Sequence, residues 1–305
     1  MSAVVFGEAL VDDFSTEQVV GGAPFNVARH LAAFMANPLA ITRIGDDRNG
    51  AMVLAEFERF AMSRRGLQID PMEETGRVIV ERGPNGHRFV ILPRQAWDFI
   101  DPQVAEEVAR EAAPSLLYFG SLAQRGERSA EALRRVLDAV AVPRFLDLNL
   151  RAGQVGEEIV THSLQSAHVA KVNEEELQEL LKWYLAIEPE TTLDSNEVRA
   201  ACAELVQRFS LDALIVTLGH RGSAHFAHGG EVIATRDVPA PPYVIDTVGA
   251  GDAFAAIYLL GRERGWEMEE TLFRANEFAG AVCAIPGAVP RDLSFYDRWA
   301  ARWKL

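Results

Sequence analysis

Apolar positions recur along this chain with two alternating periods. Short apolar runs that read as buried strands lie at AVVFGEAL (3–10), LAITRIG (39–45), SLLYFG (115–120), RFLDL (144–148), HVAKV (168–172) and ALIVTL (213–218). Between the first two, Val27, Leu31 and Phe34 place a helix over 26–36. GDDRNG (45–50) is a turn whose carboxylates suit the start of a helix running to Phe60. Further helices are predicted over 102–112, 127–140, 156–165, 174–184 and 196–209, with an acidic, proline-containing loop at 186–194. A late hairpin, 223–227 with 231–236, precedes helices at 251–264, 268–285 and 294–303. Regular alternation of this kind implies an α/β domain with a mostly parallel sheet covered by helices on both faces.

The section from Thr75 to Pro93 breaks the rhythm. TGRVIVERGPNGHRFVIL is two β-rich runs joined by a turn, with nothing helical between them, so it cannot be a parallel crossover unit. It is expected outside the main sheet as a lid. One domain over 1–305 is therefore expected, carrying a small β lid formed mainly by about 72–95 with a short segment near 12–20. Ligands of such sheets bind beyond the carboxyl ends of the strands.

Composition narrows the function classes. The net charge of −14 repels phosphate backbones over most of the surface, which disfavours a nucleic-acid binder. No stretch approaches the roughly 20 apolar residues that span a bilayer, and the start lacks the basic region of a secretory signal. Two lone thiols, Cys202 and Cys283, suit a reducing, cytoplasmic setting.

The strongest chemical signal is IDTVGAGDAFAAIYLL (245–260). Gly249, Ala250 and Gly251 put small residues at a sharp turn, and a helix follows at once. The start of a helix leaves backbone N–H groups unpaired and carries partial positive charge, so small residues there make an anion cradle. Asp252, in the first turn, has two readings: a cap for free N–H groups, or a general base for a hydroxyl attacking phosphorus. In GGAPFNVARHLA (21–32), Gly21 and Gly22 permit a close turn, and Asn26 can both give and take hydrogen bonds. In DLNLR, Asp147, Asn149 and Arg151 stand two apart, on one side of an extended segment. Arg151 suits phosphate oxygens. NEEE (173–176) reads equally as a helix N-cap with helix-favouring glutamates. No P-loop, dinucleotide or protein-kinase motif occurs.

DTVGAGDAF resembles the C-terminal signature of the PfkB carbohydrate kinases, and GGAPFNVARHLA resembles their N-terminal signature, in the family's order. The resemblance implies a ribokinase-like three-layer α/β/α sandwich with a β lid, ATP and Mg²⁺ as cofactors, and a sugar as acceptor. The Ala23–Pro24 pair, FGSLA (119–123) and DLNLR are similar to fructokinases, so fructose leads, with 2-keto-3-deoxygluconate as the alternative. A kinase-like protein that only binds and regulates is the alternative from another class. The family pattern implies Asp252 and Arg151 as catalytic and Gly249 to Asp252 as the anion hole. It implies Asp12 (with Asp13 beside it), Gly21, Gly22, Asn26 and Arg94 around the acceptor. It implies Asn149, Arg151, Asn173, Thr217, Gly219, Gly222, Gly249, Gly251 and Asn276 around ATP, and Glu176 acting through water on Mg²⁺. By analogy with some relatives, Asp246, Thr247, Ala284 and Gly287 would frame a K⁺ site. Some relatives also dimerise through the lid, which would cover its strand edges. Trp97 is expected to pack under the lid, with stacking on a sugar as its alternative; Arg94 would otherwise be a solvated edge charge.

Overall fold

The computed structural model describes residues 2–14, 17–83, 86–187, 196–235, 238, 241 and 243–305, with backbone alone at 80–83 and 86–89. The chain runs β1 (Ala3–Phe6), β2 (Leu10–Asp13), β3 (Gln18–Gly21), α1 (Ala23–Ala33), β4 (Leu39–Gly45), α2 (Arg48–Arg59), β5 (Leu67–Asp70), β6 (Gly76–Gly83) and β7 (Gly86–Ile91). There follow α3 (Pro102–Ala112), β8 (Leu116–Gly120), α4 (Glu127–Ala139), β9 (Arg144–Asp147), α5 (Glu157–Ser166), β10 (Val169–Asn173), α6 (Glu174–Leu185) and α7 (Asn196–Arg208). The last part holds β11 (Ala213–Thr217), β12 (Ser223–Ala227), β13 (Val232–Thr235), α8 (Ala250–Arg264), α9 (Met268–Val282) and α10 (Asp297–Trp303).

Nine strands form one sheet in the order β13-β12-β11-β10-β9-β8-β1-β4-β5, parallel except for the hairpin β12–β13 and its pairing to β11. Successive side chains divide between two cores because a strand alternates its faces. Val4 and Phe6 enter the core under α3 to α7, while Ala3 and Val5 enter the core under α1, α2 and α8 to α10. Helix α8 is buried along most of its length, from Asp252 to Gly261. Its apolar residues on every side suit a helix wedged between the sheet and its neighbours α1 and α9. Strand order reverses at β1, which lies between β4 and β8. The crevice opened by that reversal is where an α/β sheet binds ligands.

A second sheet, β3-β2-β6-β7, joins the hairpin β6–β7 to β2 and β3 through the parallel pair β2–β6. The first apolar run is thus two strands and not one. The chain leaves the main sheet at Gly7 and enters the lid at Leu10. Strand β5 carried no separable apolar signal, since only Leu67 and Ile69 mark it and Ile69 is exposed. The first helix starts at Ala23, three residues before the expected start at Asn26, because Pro24 is tolerated in the first turn. The loop expected at 186–194 lies, beyond 187, outside the described residues, as does the end of the strand expected to reach 236.

Trp97 settles as packing. It is fully buried, with the Arg125 guanidinium carbon 4.1 Å from its ring centroid. Gly76, the first residue of β6, lies against its edge, where an added Cβ would fall 2.5 Å from Trp97 Nε1 and 2.8 Å from Leu10 Cβ. The lid therefore leaves the body over a contact with no spare volume. Gly76→Ala should lower stability in denaturant melts by ~1–3 kcal/mol through overpacking; an unchanged midpoint would show that the junction can shift.

Candidate active site

A cleft of about 960 Å³ lies beyond the carboxyl ends of β1, β9, β10 and β11. The lid residues Val78 and Ile91 wall one end, together with Glu8, Asp12, Gly22 and Asn26. Thr217, Gly219, Gly222, Val244 and Asn276 wall the other. The start of α8 stands between them.

That helix start is bare. Gly249 precedes α8 with φ at +77°, and a Cβ there would lie 2.3 Å from Ala288 Cβ, so only glycine fits. No side chain caps the end. The Ala250 amide is spent on the Thr247 carbonyl at 3.3 Å, while the amides of Gly251 and Asp252 find no acceptor among the described residues. Asp252 does not cap: its Oδ2 accepts from Asn26 Nδ2 at 2.7 Å. Burial, then the negative Asp147, push its carboxyl up to about 6, against the pull of Asn26, Lys171 and Arg151.

Lys171, in the middle of β10, is buried with its Nζ 2.8 and 3.0 Å from the two oxygens of Asp147. Tyr118 donates to the same carboxylate at 3.3 Å. The ammonium lies 3.2 Å from where a Cβ on Gly251 would stand. A pinned cation thus sits directly beside the bare amides. Burial works against its charge, but Asp147, Glu176 and Asp252 together outweigh burial and the ammonium titrates above its usual range. The sequence reading passed over Lys171. The available signal was a lysine inside an otherwise apolar strand of a sheet covered on both faces, where an unpaired charge is not tolerated.

Asp147, Asn149 and Arg151 all face the cleft, but not by strand alternation. β9 ends at Asp147, and Asn149 takes a left-handed backbone with φ at +45°. Arg151 is exposed at the cleft wall; its carbonyl accepts from the Gln154 and Val155 amides, while its guanidinium makes no hydrogen bond or ion pair among the described residues. Asn173 and Glu176 form a capping box. Asn173 Oδ1 accepts from the Glu176 amide at 2.8 Å, and Glu176 Oε2 accepts from the Asn173 amide at 2.9 Å. The other Glu176 oxygen accepts from the Leu150 amide at 2.7 Å, so this buried carboxylate ties the Arg151 loop to β10 while still bordering the cleft. No cluster of three or more His, Cys, Asp or Glu able to hold a metal occurs among the described residues.

At the lid end, alternation along β2 separates the two aspartates. Asp12 faces the cleft, whereas Asp13 lies 4.0 Å from Arg77 Nε. A Cβ on Gly21 would fall 2.5 Å from Asp12 Oδ2, so the glycine leaves room for that carboxylate. Gly22 has φ at +101° and lies against the Glu8 carbonyl. Burial pushes the Asp12 carboxyl up to about 6, with Arg151 and Arg29 opposing. Glu8, also missed by the sequence reading, is buried beside them with one carboxylate oxygen unpartnered among the described residues. Burial pushes it up to about 7. Arg94 does not join the group: it is exposed, has φ at +54° where the lid rejoins the body, and gives its Nε and a terminal nitrogen to Glu73 at 3.0 and 2.5 Å. It is absent from the cleft wall.

At the far end, Asn276 donates to Ser223 Oγ and the Leu272 carbonyl, both at 2.8 Å, which leaves its Oδ1 as an acceptor. Behind α8, Asp246 accepts from the amides of Val248 and Gly287 at 3.0 and 3.2 Å, bringing the 246–248 and 284–287 loops together. Thr247 borders the cleft, while the Ala284 amide turns back to the Ala281 carbonyl.

The chain matches the pfkB family carbohydrate kinase over residues 3–292. It is 29% identical to a fructokinase of Klebsiella pneumoniae over 273 residues, 84% of this chain and 83% of that protein. The fold superposes on fructokinase with bound ATP from Xylella fastidiosa with a TM-score of 0.82 at 20% identity, covering 100% and 99% of the two chains. It superposes on 2-dehydro-3-deoxygluconokinase from Thermotoga maritima with a TM-score of 0.81 at 17% identity, covering 99% of both. A bare, glycine-built helix start beneath a lid, two glycines and an asparagine across from it, and a family match that takes in both place this chain in the pfkB family of carbohydrate kinases, phosphotransferases that act on a sugar hydroxyl.

Proposed function

We propose that this chain transfers the γ-phosphate of ATP to a hydroxyl of a neutral sugar, with fructose as the acceptor. The observation that carries the proposal is Asp252, held by Asn26 at an uncapped helix start with Lys171 beside it. The sugar binds at the lid end, where Asp12, Glu8 and Asn26 meet hydroxyls, and the apolar Val78 and Ile91 cover its carbon face. The nucleotide lies toward Thr217, Gly219, Gly222 and Asn276, with its phosphates toward α8. Asp252 takes the proton from the attacking hydroxyl, and the free amides of Gly251 and Asp252 receive the developing charge. Lys171 and Arg151 neutralise it from two sides. Mg²⁺ fits the oxygen donors at Asn173 and Glu176 through water, consistent with an ion that keeps most of its own hydration, and supplies further charge neutralisation when bound. Lid closure excludes water and so protects ATP from hydrolysis.

The charge at the lid end supports a neutral acceptor over a sugar acid. Glu8, Asp12 and Asp252 crowd it, while Arg94 is paired to Glu73 and neither Arg94 nor Arg77 borders the cleft. A carboxylate there meets like charge in a site of low dielectric.

A panel of acceptors with ATP should show ADP release with fructose at a kcat/KM at least about tenfold above that with 2-keto-3-deoxygluconate, since one unfavourable charge contact of ~1.4 kcal/mol suffices for that ratio. A preference for the acid would reverse the charge argument, and ligand binding with no ADP release from any acceptor would indicate a regulatory binder. Asp252→Asn should lower kcat by about 10²–10⁴-fold with ATP affinity unchanged; near-normal turnover would remove the base assignment. The same variant should melt higher than the parent at neutral pH. A carboxyl raised to about 6 in the folded state from 3.8 costs stability in full above pH 6, and this cost fades as pH falls from 6 to about 4 and is absent below that. The acid limb of kcat/KM for the acceptor should fall between pH 6 and 7, because Asp252, Asp12 and Glu8 are all raised by burial. A limb near pH 4 would mean these carboxylates are hydrated in the working enzyme.

A further inference from the structure

Helix α1 carries a guanidinium into the interior. Arg29 is 3% exposed, and a buried guanidinium needs acceptors for its five donors. It meets Glu56 Oε2 at 2.6 Å and the Val20 carbonyl at 2.8 Å, and a terminal nitrogen also donates to Asn26 Oδ1. Its Nε has no partner among the described residues. Glu56 is held independently by Arg59, with two contacts of 2.7 Å. Arg59 in turn reaches the carbonyls of Pro290 and Arg291 at 3.1 and 3.2 Å.

The contact to Asn26 has a chemical consequence. A primary amide has a donor end and an acceptor end of nearly equal shape, so packing alone does not choose between them. A guanidinium only donates, which obliges Asn26 to turn its oxygen toward Arg29 and its NH₂ toward Asp252. Reversed, the amide would set oxygen against carboxylate and N–H against N–H. We propose that Arg29 is a positioning residue: by fixing the direction of the Asn26 amide, it holds Asp252 in the orientation that takes the acceptor proton. This rests on the reading of Asp252 as base. One of the two Asn26 N–H groups goes to Asp252, and the other stays available to an acceptor hydroxyl, so the same restraint also orders the sugar.

A double-mutant cycle tests this. Arg29→Met keeps the apolar stem, removes every donor and leaves Glu56 paired to Arg59. In the otherwise unchanged enzyme it should lower kcat by about tenfold and raise the acceptor KM, with the ATP KM within about twofold of the parent. In an Asn26→Ala background, with no amide left to orient, the same substitution should change kcat by less than about twofold. Arg29→Lys, which keeps charge and a donor, should recover most of the loss. Equal losses in both backgrounds would mean that Arg29 supports the fold and nothing more, and a folded Arg29→Met enzyme with unchanged kcat would also overturn the proposal. Should Arg29→Met not fold, the cycle is run with Arg29→Leu, which likewise has no donor, judged by the same criterion. The two readings fail separately: an active Asp252→Asn enzyme removes the base, whereas additivity in the cycle removes only the relay.

Discussion

The structure depends on a helix that begins half-buried at the wall of the cleft with no side chain to cap it. A helix start normally recruits a side chain or water to its free amides, because unsatisfied donors are costly. Here the positions that would supply one are Gly249 and Ala250, and the nearest carboxylate, Asp252, faces Asn26 instead. The amides are left for something from outside. Lys171 strengthens the same demand for an anion, and Asp147 keeps that lysine charged while preventing it from folding over the site.

Around this point the protein gathers charges of both signs at close range. Glu8, Asp12 and Asp252 are each buried enough that their carboxyls titrate far above the ordinary range, and Arg29, Arg151 and Lys171 oppose that shift. Such an arrangement opposes folding to some degree, since buried ion pairs seldom recover their full desolvation cost. It fits a site that must be ready before its ligands arrive, because dipoles and charges already in place need no reorganisation during the reaction. The fold supplies the rigidity. Most of the groups stand in or just beyond sheet strands, Asp252 stands at the start of α8, and Glu176, in the capping box with Asn173, ties the Arg151 loop to its neighbouring strand.

Most of the architecture was legible in the order of apolar periods. The parallel sheet, its late hairpin and the separate β6–β7 sheet follow from spacing alone, and the glycine turn before α8 could be located because glycine at a helix start has a physical reason. What was not legible depends on contacts between distant segments. The run at 3–10 looked like one strand because nothing local says that Leu10 pairs with Gly76 and not with the main sheet. Arg94 sits in the expected lid, yet a left-handed backbone turns it to Glu73. Glu8 and Lys171 were passed over because a lone acid or base in an apolar run carries no partner in its own neighbourhood. Asp147 is 24 residues from Lys171, and the partnership exists only once β9 and β10 are adjacent.

In the proposed mechanism the amides at the start of α8 receive the transferred phosphoryl group while Asp252 faces the acceptor. The most direct measurement is a crystal structure with fructose and a non-hydrolysable ATP analogue. It should place the terminal phosphate within hydrogen-bond distance of the Gly251 and Asp252 amides and a fructose hydroxyl against the Asp252 carboxylate. A terminal phosphate bound away from this helix start, or a sugar with no hydroxyl at Asp252, would contradict it.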